Sequence, residues 1–249
     1  MRTIRNISPT YEAEQVKERN GDDFEYVVQN EEAYSWINRV VRPKDTINPK
    51  KLTAEEKRDG IDSERRDGKT WVPIEKGSNK DDIYYKETVE YINWSKESLQ
   101  KIRDRRDGRI RNTEHYFREA LFASRGGTGE YKSKVRYVNN AVIDSSGVVL
   151  IPTAEALPAK YLLGILNSNL MKYIIDNFIN STVNVQVSDM RLLPIPVPTP
   201  DEKQRITELV DEAIARQKGE IEDDIENIRE EIEKEVKEIY GIDVEYEAT

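Results

Sequence analysis

No cysteine occurs in this chain of 249 residues, which excludes disulfide staples and thiolate metal sites. Histidine occurs once, at His115, so neither a multi-histidine metal centre nor a Ser-His-Asp system has its usual company. There is no run of 18 apolar residues and no opening signal peptide, so the expectation is a protein without membrane association, in the cytoplasm. Glycine-rich signatures are also scarce. Arg125-Gly126-Gly127-Thr128-Gly129 is the one candidate, but it sits at no clean strand-to-helix junction and reads as a loop. Internal repeats and low-complexity tracts are absent.

Charge is plentiful: 35% of residues are Asp, Glu, Lys or Arg, and the net charge is −9. Taken whole, that balance argues against a nucleic-acid partner. Its distribution reverses the inference. Residues 201–249 hold 18 acidic and 7 basic side chains, whereas residues 98–138 hold 11 Lys or Arg against 5 Asp or Glu. An acidic tail therefore follows a basic middle. The basic candidates are Lys101, Arg103, Arg105, Arg106, Arg109 and Arg111, then Arg118, Arg125, Lys132, Lys134 and Arg136. Lysine and arginine neutralise phosphates, and arginine also bonds guanine bidentately. Asn112, Asn139, Asn140 and Gln186 carry amides of the type that pairs with adenine. A solvated charge run interleaved with Asp104 and Asp107 is the competing reading of the same spacing.

Patterning predicts an α+β fold, with a mainly antiparallel sheet, flanking helices and a C-terminal helical tail. Residues 1–66 are polar and partly loop, with a possible strand at Phe24–Val28, a short helix around Tyr34–Val41 and a surface loop over 44–67. Residues 67–198 form the mixed domain. Within it, Trp71–Ile74 reads as an edge strand because of Pro73, and Ser95 reads as a helix N-cap. Strands are expected over 117–124 and 134–142, and Val142–Ile151 reads as a hairpin. Pro158 opens an amphipathic helix over 161–174 at its first position. Val183, Val185 and Val187 alternate with polar residues as in a half-buried strand. Arg191–Pro198, with three alternating prolines, is an extended linker. Residues 199–249 open on a Thr199-Pro200-Glu202 capping pattern. Further on, Ile221, Ile225, Ile228, Ile232 and Ile239 form a narrow seam, interrupted by Glu235 and Val236. Such a seam packs on another helix, in this chain or in a partner, including a like chain as a homodimer, or else belongs to a single charged helix lying on its own domain.

Three segments in this order, LLGILNSNL, NFINSTVNVQVSDMRLLPIPVP and the helix start DEKQRI, carry a family resemblance. With WVPIEKG, YINWS and RIRNTEHYFREAL upstream, the stretch from about Trp71 to Gln217 resembles a known domain. It is the C-terminal target-recognition (specificity) domain of adenine-specific DNA methyltransferases, in type II (IIG/IIL-like) restriction–modification enzymes. Type I specificity subunits are similar more loosely. The resemblance implies a phage-defence module that binds double-stranded DNA and reads a short sequence. It also implies a methyltransferase catalytic domain or subunit as partner, where S-adenosylmethionine is expected. That part would be another polypeptide or lie upstream.

Catalytic signatures of that chemistry are missing here. The family's Asn/Asp-Pro-Pro-Tyr/Phe motif has no counterpart, since Asn48-Pro49 runs into Lys50-Lys51. No cofactor, metal or catalytic residue is therefore assigned to this chain, which is expected to be non-catalytic on its own. Two other readings stay open: an interaction module docking a methyltransferase through the tail, and a nuclease whose best carboxylate pair is Glu87/Glu90.

Overall fold

A computed structural model describes residues 37–38, 45–77, 82–88, 90–104, 110, 112–124, 134–144, 146–182 and 184–243. The expected strand at Phe24–Val28 lies outside them. Two units divide the chain: Met1–Glu75, Thr88–Arg118 and Asn140–Ile143 form one, and Lys76–Glu87, Glu119–Asn139 and Asp144–Thr249 the other. Together they make an α+β fold.

In the first unit four short strands lie in the order β1 (Ile37–Asn38), β3 (Tyr91–Asn93), β2 (Trp71–Glu75), β6 (Val142–Ile143). Strand β2 pairs antiparallel with β3 through Trp71–Pro73 and parallel with β6 through Ile74 and Glu75. Pro73 thus stands in an interior strand, against the edge expectation. The two ladders are staggered, and the β6 ladder begins only after Pro73, so its missing N–H breaks no bond on that side. Ile37 and Asn38 are strand, where a helix was expected.

Around this sheet pack Ile47, Leu52, Ile61, Val72, Ile92, Trp94, Leu99, Ile102 and Phe117. Trp94 is fully buried, with ring centroids 5.7 and 5.5 Å from Tyr116 and Phe117 in edge-on geometry. Its indole N–H donates to the Glu56 carbonyl at 3.0 Å, which removes the cost of burying that donor. The segment 44–67, expected as a surface loop, supplies three of these core residues. It folds as helix α1 (Ala54–Asp59) between two 3-10 turns, Pro49–Lys51 and Glu64–Arg66. Thr53 and Glu56 close a capping box at its start. Isolated apolar residues set into turns have no period, so periodicity missed them. Gly60, at φ +99, meets the start of helix α2 (Lys96–Asp104). A Cβ there would lie 2.9 Å from Leu99. Ser95 caps α2 as expected, accepting from the Ser98 N–H at 3.1 Å.

The second unit holds an antiparallel sheet in the order β5 (Val135–Val138), β4 (Ala120–Ser124), β7 (Gly147–Leu150). No hairpin joins 142–143 to 147–150, because β6 and β7 belong to different sheets. Likewise the strand expected over 134–142 splits at Asn140, whose φ is +57. Helices α3 (Ala159–Leu166) and α4 (Asn169–Ile174) replace the single helix expected over 161–174, and Pro158 is the N-cap. The break between them is chemical. Asn167 accepts from the Val135 N–H at 2.9 Å and donates to the Val135 carbonyl at 2.8 Å, and Ser168 accepts from the Met171 N–H at 3.1 Å. A π turn, Ile175–Ile179, follows α4.

The period-two stretch is not a strand. Val187–Met190 is helix α5, started by the Asp189 carboxylate accepting from the Gln186 N–H at 2.8 Å. A side-chain cap outweighed β-propensity over so short a span. The segment Arg191–Pro198 is a strap. The Tyr161 and Tyr240 hydroxyls donate to the carbonyls of Pro196 and Pro194, at 3.1 and 2.7 Å. Burial pushes the Tyr161 phenol up to about 12 and raises Tyr240 as well.

The tail packs into the same core. Helix α6 (Pro200–Gln217) opens with the expected Thr199–Glu202 capping box, and α7 (Ile225–Tyr240) folds back on it. Gly164 lets α6 approach α3 closely, since a Cβ there would lie 2.7 Å from Ile206. Ile228, Ile232 and Val236 are buried in this core. Val236 therefore continues the apolar seam that it was expected to interrupt.

Ile232→Ala should then cost about 2–5 kcal/mol of stability, the usual range for emptying a packed site. Thermal melting reads that loss. An unchanged melting temperature with a reduced sedimenting mass would instead give the seam to a partner chain.

Candidate nucleic-acid interface

Helix α2 presents two of the candidate cations for a physical reason. Its Leu99 and Ile102 are buried in the first unit's core, which turns Lys101 and Arg103 outward, where both are exposed. Neither makes an ion pair among the described residues. Asn112 is also exposed, at φ +56, and its carbonyl accepts from the His115 N–H at 2.9 Å. His115 itself is surface-exposed, 3.7 Å from Glu114. Arg105, Arg106, Arg109, Arg111, Arg125 and Lys132 lie outside the described residues.

Other cations of this unit are consumed internally. Arg66 forks onto Glu56 with two bonds of 2.7 Å and also reaches the Lys51 carbonyl at 3.2 Å. This pairing holds the Glu56 carboxyl down to about 2. Arg58 grips Asp59 and keeps its carboxyl below the ordinary range. By contrast Lys50, Lys51 and Lys69 are exposed without an ion pair among the described residues. These three lysines lie in or beside the stretch expected as a surface loop, where the capping box Thr53-Ala54-Glu55-Glu56 is the local signal of order.

In the second unit Lys134, Arg136 and Gln186 have three different fates. Lys134 is half-buried and Gln186 is exposed. Arg136 is only 1% exposed, donates to the Lys76 carbonyl and lies 4.3 Å over the Phe122 ring. A guanidinium so enclosed reaches no duplex, and it holds β4 and β5 to the segment before Gly77. Arg136 is therefore removed from the candidate interface. Of the carboxylate pair, Glu90 is buried and Glu87 belongs to the other unit. Among the described residues no group of three or more His, Cys, Asp or Glu could hold a metal ion, and no helix is long and apolar enough to cross a membrane.

A family model, the TaqI-like C-terminal specificity domain, matches residues 72–197, half of the chain. No curated protein matches. Among solved structures, the type IIL restriction–modification enzyme MmeI, in complex with DNA, is similar at 14% identity with a TM-score of 0.49. The similarity covers 82% of this chain and 33% of that one, so the chain spans about a third of that enzyme's length. The matched segment defines the class of domain, a C-terminal specificity domain. The chain belongs to the TaqI-like C-terminal specificity domain family.

Two outcomes separate the cations that face solvent from those that hold the fold. Lys101→Ala with Arg103→Ala should leave the melting temperature unchanged and reduce the slope of log affinity against log salt by about 0.9 per lost phosphate contact. Arg136→Ala should lower stability by about 2 kcal/mol, because it strands a buried carbonyl and empties the space over Phe122. A salt slope unmoved by the first pair removes α2 from the interface.

The Glu56–Arg66 pair also sets an acid limit. Its carboxyl is lowered from 4.5 to about 2, so its stabilisation is present above pH 4.5 and is lost as pH falls towards 2. Arg66→Ala should lower stability at neutral pH, modestly because the pair is partly exposed to solvent, and should flatten the stability curve across that window. Denaturant titrations at pH 7, 4 and 3 measure both effects.

Proposed function

We propose that this chain binds double-stranded DNA and discriminates a short sequence, while a separate methyltransferase domain or subunit transfers the methyl group to adenine N6. The family match over residues 72–197 carries the reading. The outward cations of α2 support it, since phosphate neutralisation needs lysine and arginine that are not already paired. S-adenosylmethionine would belong to the catalytic partner, as no cofactor signature is present in this sequence.

An interaction-module reading draws on the acidic helices α6 and α7. Their apolar seam is occupied inside the second unit. Docking of a methyltransferase, or of a like chain, would therefore use polar and acidic faces of those helices.

The test has two arms. In mobility-shift titrations the chain should retard random duplex DNA, with affinity falling steeply as salt rises. With labelled S-adenosylmethionine and the same DNA it should incorporate no label. Label above background would make the chain a methyltransferase in its own right. Failure to bind duplex at 50 mM salt would leave the interaction-module reading in its place.

A further inference from the structure

The longest stretch of the chain without Asp, Glu, Lys or Arg is residues 177–188, NFINSTVNVQVS. In a chain that is 35% charged, a run of this length would ordinarily carry about four charges. The next longest, 161–171, is mostly buried helix, which explains its neutrality. Residues 177–188 are different, because Asn177, Phe178, Ser181, Thr182, Asn184, Gln186, Val187 and Ser188 are exposed.

Phe178 is 74% exposed and projects from the π turn, with one edge against Tyr173 at 5.9 Å. The segment is nevertheless fixed. Asn180 donates to the Asp189 carboxylate and to the Asn184 carbonyl, and accepts from the Thr182 N–H at 2.7 Å. The Leu192 N–H reaches the Asp189 carbonyl at 3.0 Å. Phe178, Val187 and Leu192, all exposed, thus stand within three residues of one hydrogen-bonded clamp. The Asn184 side chain makes no hydrogen bond among the described residues. Arg191, exposed and without an ion pair among the described residues, follows directly.

We propose that this loop is a second, uncharged DNA-reading surface, in which Phe178 stacks against a base step while the amides of Asn184 and Gln186 bond base edges. The proposal rests on the reading of the chain as a DNA-recognition module. Side-chain amides both donate and accept, which suits the mixed edge of adenine. An exposed phenyl ring is the usual wedge or stacking platform for bases. A protein partner would have to satisfy each amide that it buried, or the contact would weaken, whereas base edges present the matching donors and acceptors. Having no cation of its own, the loop supplies discrimination, and phosphate affinity comes from elsewhere.

Selection of the full chain on a randomised duplex pool tests this, alongside Phe178→Ala and the double variant Asn184→Ala/Gln186→Ala. All three positions are exposed, and only Gln186 stands at a helix start, that of the four-residue α5, so thermal melts should stay close to the parent's. The parent should enrich a motif. The variants should lose preference at one or two positions of it and bind it roughly 5- to 150-fold more weakly, with the salt slope unchanged. Phe178→Trp should keep the parent's preference. Variants that enrich the same motif with the same affinity overturn the proposal, and loss of binding to a methyltransferase polypeptide in those variants would give the surface to a protein partner. A parent that binds no duplex at all overturns the DNA-recognition reading itself, and the loop's role with it.

Discussion

Three consecutive residues at one helix break, two through side chains and one through its backbone N–H, tie the second unit together. Asn167 bonds both backbone groups of Val135, Ser168 caps α4 while its hydroxyl donates to the Ile165 carbonyl at 2.7 Å, and the Asn169 N–H donates to Glu233 on α7 at 2.6 Å. The edge strand, the two halves of the broken helix and the last helix therefore meet at three residues. An amide that satisfies a strand's N–H and C=O behaves as one more rung of that sheet. It shares that edge with Tyr84, whose N–H donates to the Val135 carbonyl at 3.1 Å and whose carbonyl accepts from the Tyr137 N–H at 2.8 Å, so the edge is covered against a foreign strand. The close approach at Gly164 lies one turn earlier, so α6 is placed by the same short segment.

The basic residues divide by what surrounds them, and charge alone does not sort them. Arg66 and Arg136 are structural cations, one forked onto a carboxylate and one laid on an aromatic ring. Lys101 and Arg103 have hydrophobic neighbours on the opposite side of their helix and make no ion pair among the described residues. The acidic excess of α6 and α7 is likewise partly internal, with Arg205 on Glu235 and Arg216 on Glu212 and Asp223. Net charge therefore describes neither unit's recognition surface.

What the sequence disclosed depended on how local each signal was. The Thr199–Glu202 and Ser95 caps, and the seam of Ile228 and Ile232, are written within a few residues and appear as expected. Helix α1 is equally local, with a capping box at Thr53–Glu56, but it has no apolar period to mark it as a helix. The parallel pairing of β2 with β6 joins residues some 70 positions apart, and no local pattern announces it. For the candidate site the same division holds. Arg136 has a surface-like sequence neighbourhood, and its burial comes from Phe122 and Lys76, which only the folded chain brings near. Of the α2 cations, by contrast, Lys101 and Arg103 could be placed from the spacing of Leu99 and Ile102 alone.

The strap from Arg191 to Pro198 has a consequence for solubility. Prolines at 194, 196 and 198 leave it with carbonyl acceptors and few donors, and two of those carbonyls are already taken by tyrosine hydroxyls. A segment of this kind lies extended along the surface yet offers no alternating rungs to a neighbouring molecule. Leu192 and Val197 can therefore remain exposed on it without nucleating the cross-strand stacking that an extended apolar segment usually invites. The strap keeps an extended geometry and is shielded from aggregation by its own chemistry.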